Sequence, residues 1–310
     1  MTSSPSSTSS VAFNTGGKWG PMGMDDPIEC LTWCLQTGLL FSSMDCRLHR
    51  RPRTLTIGTD RRPYWYCGGC NDRKSCLAGS IFGVDLRFPM PKALLLLLGF
   101  AHRCSYEEVI RYCIFSGSDE TVSSATVARW YGFFREAVTA NFLDRIQGGS
   151  KIGGDGIIVQ VDEALIGRRK YNRGRMVEGT WVLGMVDSRG DVRLEICQRR
   201  DVDISTDIIS RNVEIGSIIH SDSWRGYSTE RLGRAGFRHS TVNHSREFVA
   251  ADGTHTQRIE SQWRALRRHF SPGGIRKEDI ADHLLEYASR RHCTVSNVDP
   301  FTDLKHMSSF

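Results

Sequence analysis

The chain has 310 residues, enough for one large domain with smaller companions, and 39% hydrophobic and 25% charged residues mark it as globular. A formal charge of +6 permits a nucleic-acid partner without demanding one, so the clustering of basic residues matters more than their sum. The longest apolar run, ALLLLLGFA over 93–101, is too short to span a bilayer, and the Ser/Thr-rich opening lacks the apolar stretch of an export signal.

Residues 1–24 are rich in Ser, Thr and Gly with little to bury, and are expected to be disordered. Residues 25–85 begin with a short helical pattern, PIECLTWCLQTGLL, closed by Gly38. Six of the ten cysteines lie between Cys30 and Cys76. Without export, clustered cysteines point to metal rather than to disulfides. Cys46-x2-His49 is followed after 17 residues by Cys67-x2-Cys70, the two-knuckle pattern of a zinc ribbon with one His in place of Cys. Cys76 is an alternative to Cys70 or His49, whereas Cys30 and Cys34 share one helix face and read as core.

Residues 86–150 read as helical. PKALLLLLGFAHRC is followed by SYEEVIRYCIFSG, in which Ser105 and Glu108 fit a capping box. A third helix places Val127, Tyr131, Phe134 and Val138 at helical spacing. This region is either a helix-turn-helix-like DNA reader, with Arg129 and Arg135 available for contacts, or a plain bundle. Gly148, Gly149, Gly153 and Gly154 then mark a linker.

Residues 151–310 change periodicity. GIIVQVDE, GTWVLGMVDSRG and DVRLEICQ read as three strands, followed by a helix over 205–212. GSIIHSD is a fourth strand, a helix over 229–235 follows, RHSTVNH is a fifth strand, and THTQRIESQWRALRRHF is a long helix that ends the block. This order is that of an RNase H-like fold, an α/β domain with a mixed sheet flanked by helices.

In that topology the first and fourth strands are neighbours, so Asp162 and Asp222 converge. Glu260 lies one turn into the last helix, at the edge of an apolar stripe of Ile259, Trp263, Leu266 and Phe270. Three carboxylates in one cleft repel one another and call for protons or cations. Oxygen-only ligands suit Mg²⁺ or Mn²⁺, which accept phosphate oxygens as well. Glu163 is left out, since strand alternation turns it away from Asp162. Asp155, Asp187, Asp191 and Asp201 read as turn residues.

Basic residues flank this set. GRRKYNRGR carries Arg168, Arg169, Lys170, Arg173 and Arg175 without an acid, a phosphate-tracking loop if it borders a metal cleft. Arg264 and Arg267 stand four and seven residues after Glu260 on its helix face.

The segments VDEALIGRRKYNRGR, GSIIHSDSWRGY, HSTVNHSREFV and HTQRIESQW resemble the catalytic block of Merlin-type DNA transposases and their bacterial insertion-sequence relatives. WYCGGCNDRKSCLAGSIF resembles the segment between zinc knuckle and helices in that family, and the resemblance covers roughly residues 30–305. It implies cut-and-paste DNA transposition by a DDE nuclease and strand transferase, with Asp162, Asp222 and Glu260 as the acidic triad. The implied partners are terminal inverted repeats, target DNA and further copies of the chain assembled on DNA, with no membrane partner. The implied location, in a eukaryotic host, is the nucleus. The sequence departs from the family at Arg267, where Lys is frequent, at Gln257, where Asn is usual, and at His49, where Cys is usual. The competing expectations are a domesticated, non-catalytic DNA-binding protein of transposase origin and an RNase H-like nuclease.

Overall fold

A computed structural model of the chain describes residues 27–58, 63–82, 90–115, 122–147, 149–166, 179–243, 249–250, 253–270 and 275–300. The expected disorder of residues 1–24 therefore lies outside the described residues. The chain divides into two compact units, Met1–Tyr131 with Lys305–Phe310, and Gly132–Leu304.

In the first unit, α1 (Pro27–Gln36) precedes a three-stranded antiparallel sheet of β1 (Thr54–Ile57), β2 (Pro63–Tyr66) and β3 (Arg73–Ser75), in that order. The helices α2 (Met90–Ala101) and α3 (Tyr106–Phe115) follow, and the division between the units falls within α4 (Ser124–Gln147). The leucine run of α2 is core: Leu96 and Leu97 are fully buried. The capping box at α3 is formed, with the Glu108 amide donating to Ser105 Oγ at 3.3 Å and the Ser105 amide to Glu108 Oε2 at 2.7 Å.

The second unit is built on a five-stranded sheet. Its elements are β4 (Ile152–Gly153), β5 (Ile158–Ile166), β6 (Thr180–Asp187), β7 (Val192–Cys197), α5 (Val202–Asn212), β8 (Val213–Glu214), β9 (Ile218–Asp222), α6 (Thr229–Arg234), β10 (Arg238–Val242), α7 (Gln257–His269) and α8 (Ile280–Val295). The sheet order is β10-β9-β5-β6-β7. Strands β5, β6 and β7 run antiparallel to one another, while β9 runs parallel to both β5 and β10. This is the RNase H-like arrangement, and it makes the strands bearing Asp162 and Asp222 direct neighbours.

Alternation along the sheet separates two cores. Val159, Val161, Leu183 and Met185 pack with Ile208, Ile209 and Leu232 of α5 and α6 on one face. Ala164, Ile166, Val182 and Val186 pack with Ile259, Trp263 and Leu266 of α7 and Leu284 and Tyr287 of α8 on the other.

Two features differ from the sequence reading. The block does not end at α7: α8 closes the second core through Ile280, Leu284 and Tyr287, an i, i+4, i+7 stripe in IADHLLEYASRRHCTV. The glycine linker also contains a strand. Ile152 and Gly153 pair in parallel with Val213 and Glu214. Gly153 sits at φ +88°, and a Cβ there would meet Ser217 Oγ at 2.4 Å, so only glycine fits.

Candidate active site and metal centre

Asp162 lies in β5 on the α7 face of the sheet. Its Oδ2 accepts a hydrogen bond from Trp263 Nε1–H at 2.9 Å. Burial pushes its carboxyl up to about 6, the Trp263 bond opposes that rise, and the negative charges of Asp222 and Glu260 add to it. The charges of Asp222 and Glu260 are therefore felt at Asp162. Asp222 is the last residue of β9, and its Oδ1 accepts the Trp224 amide at 3.0 Å. Glu260, in the first turn of α7, accepts from Thr256 Oγ1 at 3.2 Å. A carboxylate there is favoured by the partial positive charge of the helix N-terminus.

The start of α7 is held in an unexpected way. Thr256 occupies the N-cap position but makes no side-chain cap bond. Gln160 of β5 supplies it instead: its Oε1 accepts the amides of Arg258 at 2.8 Å and Ile259 at 3.2 Å. Its Nε2 meets His255 Nδ1 at 3.1 Å. Gln160 is 3% exposed and lies two residues before Asp162 on the same face, so one strand holds both an acid and the helix that brings another. The only sequence signal was a polar residue interrupting IIVQVDE.

Glu163 points to the opposite face, as alternation requires. It is nonetheless buried, and burial pushes its carboxyl up to about 7 although Arg200 lies near. Asp187 anchors the turn after β6, accepting the amides of Arg189, Gly190 and Asp191, and Asp201 caps α5 by accepting the Ile204 amide at 2.9 Å.

Arg264 and Arg267 are exposed on α7. Arg168, Arg169, Lys170, Arg173 and Arg175 lie outside the described residues. Arg129 is exposed, but the expectation that Arg135 is available to DNA does not hold: its Nε donates to Glu286 Oε2 at 2.7 Å, and its side chain is 18% exposed. A buried carboxylate claims the guanidinium.

Among the described residues, two groups of metal-ligand side chains have donor atoms all within 4.8 Å of one another. The first is Cys46, His49, Cys67 and Cys70. Cys46 Sγ lies 3.6 Å from Cys70 Sγ and 3.7 Å from His49 Nδ1, and Cys67 Sγ lies 3.6 Å from His49 Nδ1. Tetrahedral coordination with Zn–S near 2.3 Å and Zn–N near 2.0–2.1 Å puts ligand atoms roughly 3.5–3.8 Å apart. The observed edges fit. Backbone amides of the knuckles lower the Cys46 thiol to about 7 and also lower Cys67, which favours the thiolates that bind metal. Cys76 stays outside the group; it is buried, and burial pushes its thiol up to about 11.

The second group is His269, His283 and Glu286. Here Glu286 already accepts Arg135 Nε and Arg290 Nε, each at 2.7 Å. That double ion pair disfavours a cation, and the group reads as a polar knot between α4, α7 and α8. Asp162, Asp222 and Glu260 are not among these tight groups.

Residues 151–290 match the family model of the ISXO2-like transposase domain. No curated protein matches the chain significantly. A solved structure, the crystal structure of a pre-cleavage Mos1 transpososome, aligns over 71% of this chain and 98% of that chain, with 9% sequence identity and a TM-score of 0.26. The family match supports a transposase domain over the segment that contains Asp162, Asp222 and Glu260.

Proposed function

We propose that the chain is a DDE DNA transposase of the Merlin type, which cleaves DNA at transposon ends and joins those ends to target DNA. What supports this reading is that Asp222 of β9 and Glu260 of α7 lie near enough to raise the Asp162 carboxyl of β5, all three within the segment that matches a transposase domain.

The donor set fits a divalent cation. Asp162 accepts the Trp263 indole and Asp222 the Trp224 amide, both neutral donors, and the charges of Asp222 and Glu260 raise the Asp162 carboxyl. An oxygen-only donor set of this kind suits Mg²⁺ or Mn²⁺. A bound cation would supply charge neutralisation at the attacked phosphate and a lower pKa for the attacking water. Asp162, Asp222 and Glu260 would hold it, with Trp263 and Gln160 fixing their orientation. In the first step, water oxygen bonds to phosphorus, the P–O3′ bond breaks, and a 3′-hydroxyl is released. In the second, that hydroxyl attacks a target phosphodiester and expels another 3′-oxygen, so one bond forms as one breaks and no nucleotide cofactor is needed.

The exposed Arg264 and Arg267 on α7, together with Arg168, Arg169, Lys170, Arg173 and Arg175, are the proposed DNA contacts. The Cys46–His49–Cys67–Cys70 group is proposed to hold a structural Zn²⁺ that organises the region around β1–β3 for binding terminal inverted repeats. The protein is proposed to act as a homo-oligomer on DNA, in the nucleus where the host is a eukaryote. Among the described residues no helix is long and apolar enough to cross a membrane.

The test is a nicking and strand-transfer assay on duplexes carrying the inverted repeats that flank the coding sequence. Mg²⁺- or Mn²⁺-dependent nicking followed by joining is the expected result. Binding without nicking would identify a domesticated DNA-binding protein instead, and cleavage without end preference or joining would identify a nuclease.

A further inference from the structure

We propose that Arg200 is a positioning residue for Asp222, acting through Trp224. The inference rests on the reading of Asp222 as a cation ligand. It assigns a role to a charged group on the face of the sheet opposite α7.

Arg200 lies in the loop between β7 and α5. Its guanidinium carbon stands 4.1 Å from the centre of the Trp181 ring and 4.4 Å from the centre of the Trp224 ring. Its Nη2 lies 3.5 Å from Glu163 Oε2, and the Glu163 side chain is 5% exposed. Among the described residues the other oxygen of Glu163, Oε1, is buried without a hydrogen-bond partner, and Arg200 is the cation that faces this buried carboxyl. Three elements thus fix one guanidinium: β5 through Glu163, β6 through Trp181, and the loop after β9 through Trp224.

That loop is stiff where Arg200 touches it. The Trp224 ring meets Tyr227 edge-on at 5.4 Å and 84°. It also lies against its own backbone, since a Cβ on Gly226 would fall 1.7 Å from Trp224 Cζ3. With the ring clamped by Arg200, Gly226 and Tyr227, the Trp224 backbone has little freedom to shift. Its amide is the group that donates to Asp222 Oδ1 at 3.0 Å. The chain of contact therefore runs from Glu163 through Arg200 and Trp224 to the acid at the strand tip. Partners of this kind, which orient a metal ligand without touching metal, typically change metal affinity by about 10–100-fold when removed. Lysine would keep the charge beside Glu163 but lose the flat face that stacks on two indoles.

The test is calorimetric titration of Mn²⁺ into the full-length, zinc-loaded chain, without DNA. The site is defined as the binding that Asp222→Asn abolishes. Arg200→Ala should weaken it by about 10-fold, and Arg200→Lys by less but by more than about 2-fold. Arg234→Ala, an exposed arginine on α6, should leave it unchanged. Arg200→Ala binding Mn²⁺ within about 2-fold of the unaltered chain would overturn the positioning role while leaving the proposed function standing. No Mn²⁺ binding by the unaltered chain would overturn both. Should Arg200→Ala fail to fold, as judged by its circular dichroism melt, Arg200→Lys decides the matter alone: unchanged affinity overturns the proposal, and weakened affinity supports it.

Discussion

Trp263 of α7 donates its indole N–H to Asp162 Oδ2 of β5 at 2.9 Å, joining residues 101 positions apart. The contact ties a core side chain to an acid: the ring is buried among Ile259 and Leu266, and its one polar atom faces the Asp162 carboxylate. Trp263→Phe keeps most of the packing and removes the donor. The Asp162 carboxyl, already pushed up to about 6, should then titrate higher. NMR titration of Asp162 in the two proteins measures the difference, and an unchanged or lower value would refute it.

Asp162 also gives the metal-free protein a characteristic pH dependence. Its carboxyl titrates at about 6 in the folded chain against an ordinary 3.8. The folded state therefore binds the proton more tightly, and this contribution to stability is full below 3.8 and lost as pH rises through about 6. Asp162→Asn lacks it. In buffer without Mg²⁺ or Mn²⁺, the variant's unfolding midpoint should gain on that of the unaltered chain between about pH 5 and about pH 7.5. A gap that narrows or stays constant over that range would contradict the assignment.

Asp222→Asn should abolish nicking and joining while leaving gel-shift affinity for transposon ends largely intact, because the change removes a cation ligand and keeps the side chain's shape. Full nicking by this variant would sink the mechanism.

Arg264→Ala with Arg267→Ala should act in the opposite sense. Each lost phosphate contact weakens binding and reduces the slope of log affinity against log salt by roughly 1. Fluorescence anisotropy across a salt series reads both effects, and an unchanged slope would remove α7 from the DNA interface.

Cys67→Ser should lose the bound zinc and make the region around β1–β3 sensitive to protease, while Asp222→Asn keeps both. Metal content by emission spectroscopy, paired with limited proteolysis, checks this; full zinc content in the serine variant would exclude the site.

Asp162 and Asp222 stood out as candidates because each follows an apolar stretch, although β5 runs on past Asp162 to Ile166, and the element order placed their strands side by side. Glu260 was legible from the stripe of Ile259, Trp263 and Leu266 beside it. Their support was not. Gln160 looks in the sequence like a flaw in a strand; its acceptor role depends on amides 98 and 99 residues away. Arg200 sits in CQRRD, which reads as a solvated turn, and its stacking arises only when three elements meet. Arg135 misled for the same reason: its partner Glu286 is 151 residues distant, on a helix that the sequence reading did not assign. Local pattern reveals which face a side chain takes, while the identity of a remote partner is a property of the closed fold.

The dependence of β5 on α7 has a consequence for synthesis. When residues up to 243 have left the ribosome, all five strands of the sheet exist, and both aspartates can occupy their places. Glu260, the Trp263 donor and the amides that Gln160 caps do not yet exist. The chain must extend through α7, to about residue 269, before these groups are all in place. A nascent or truncated protein lacking α7 is thus a folding sheet without the proposed centre.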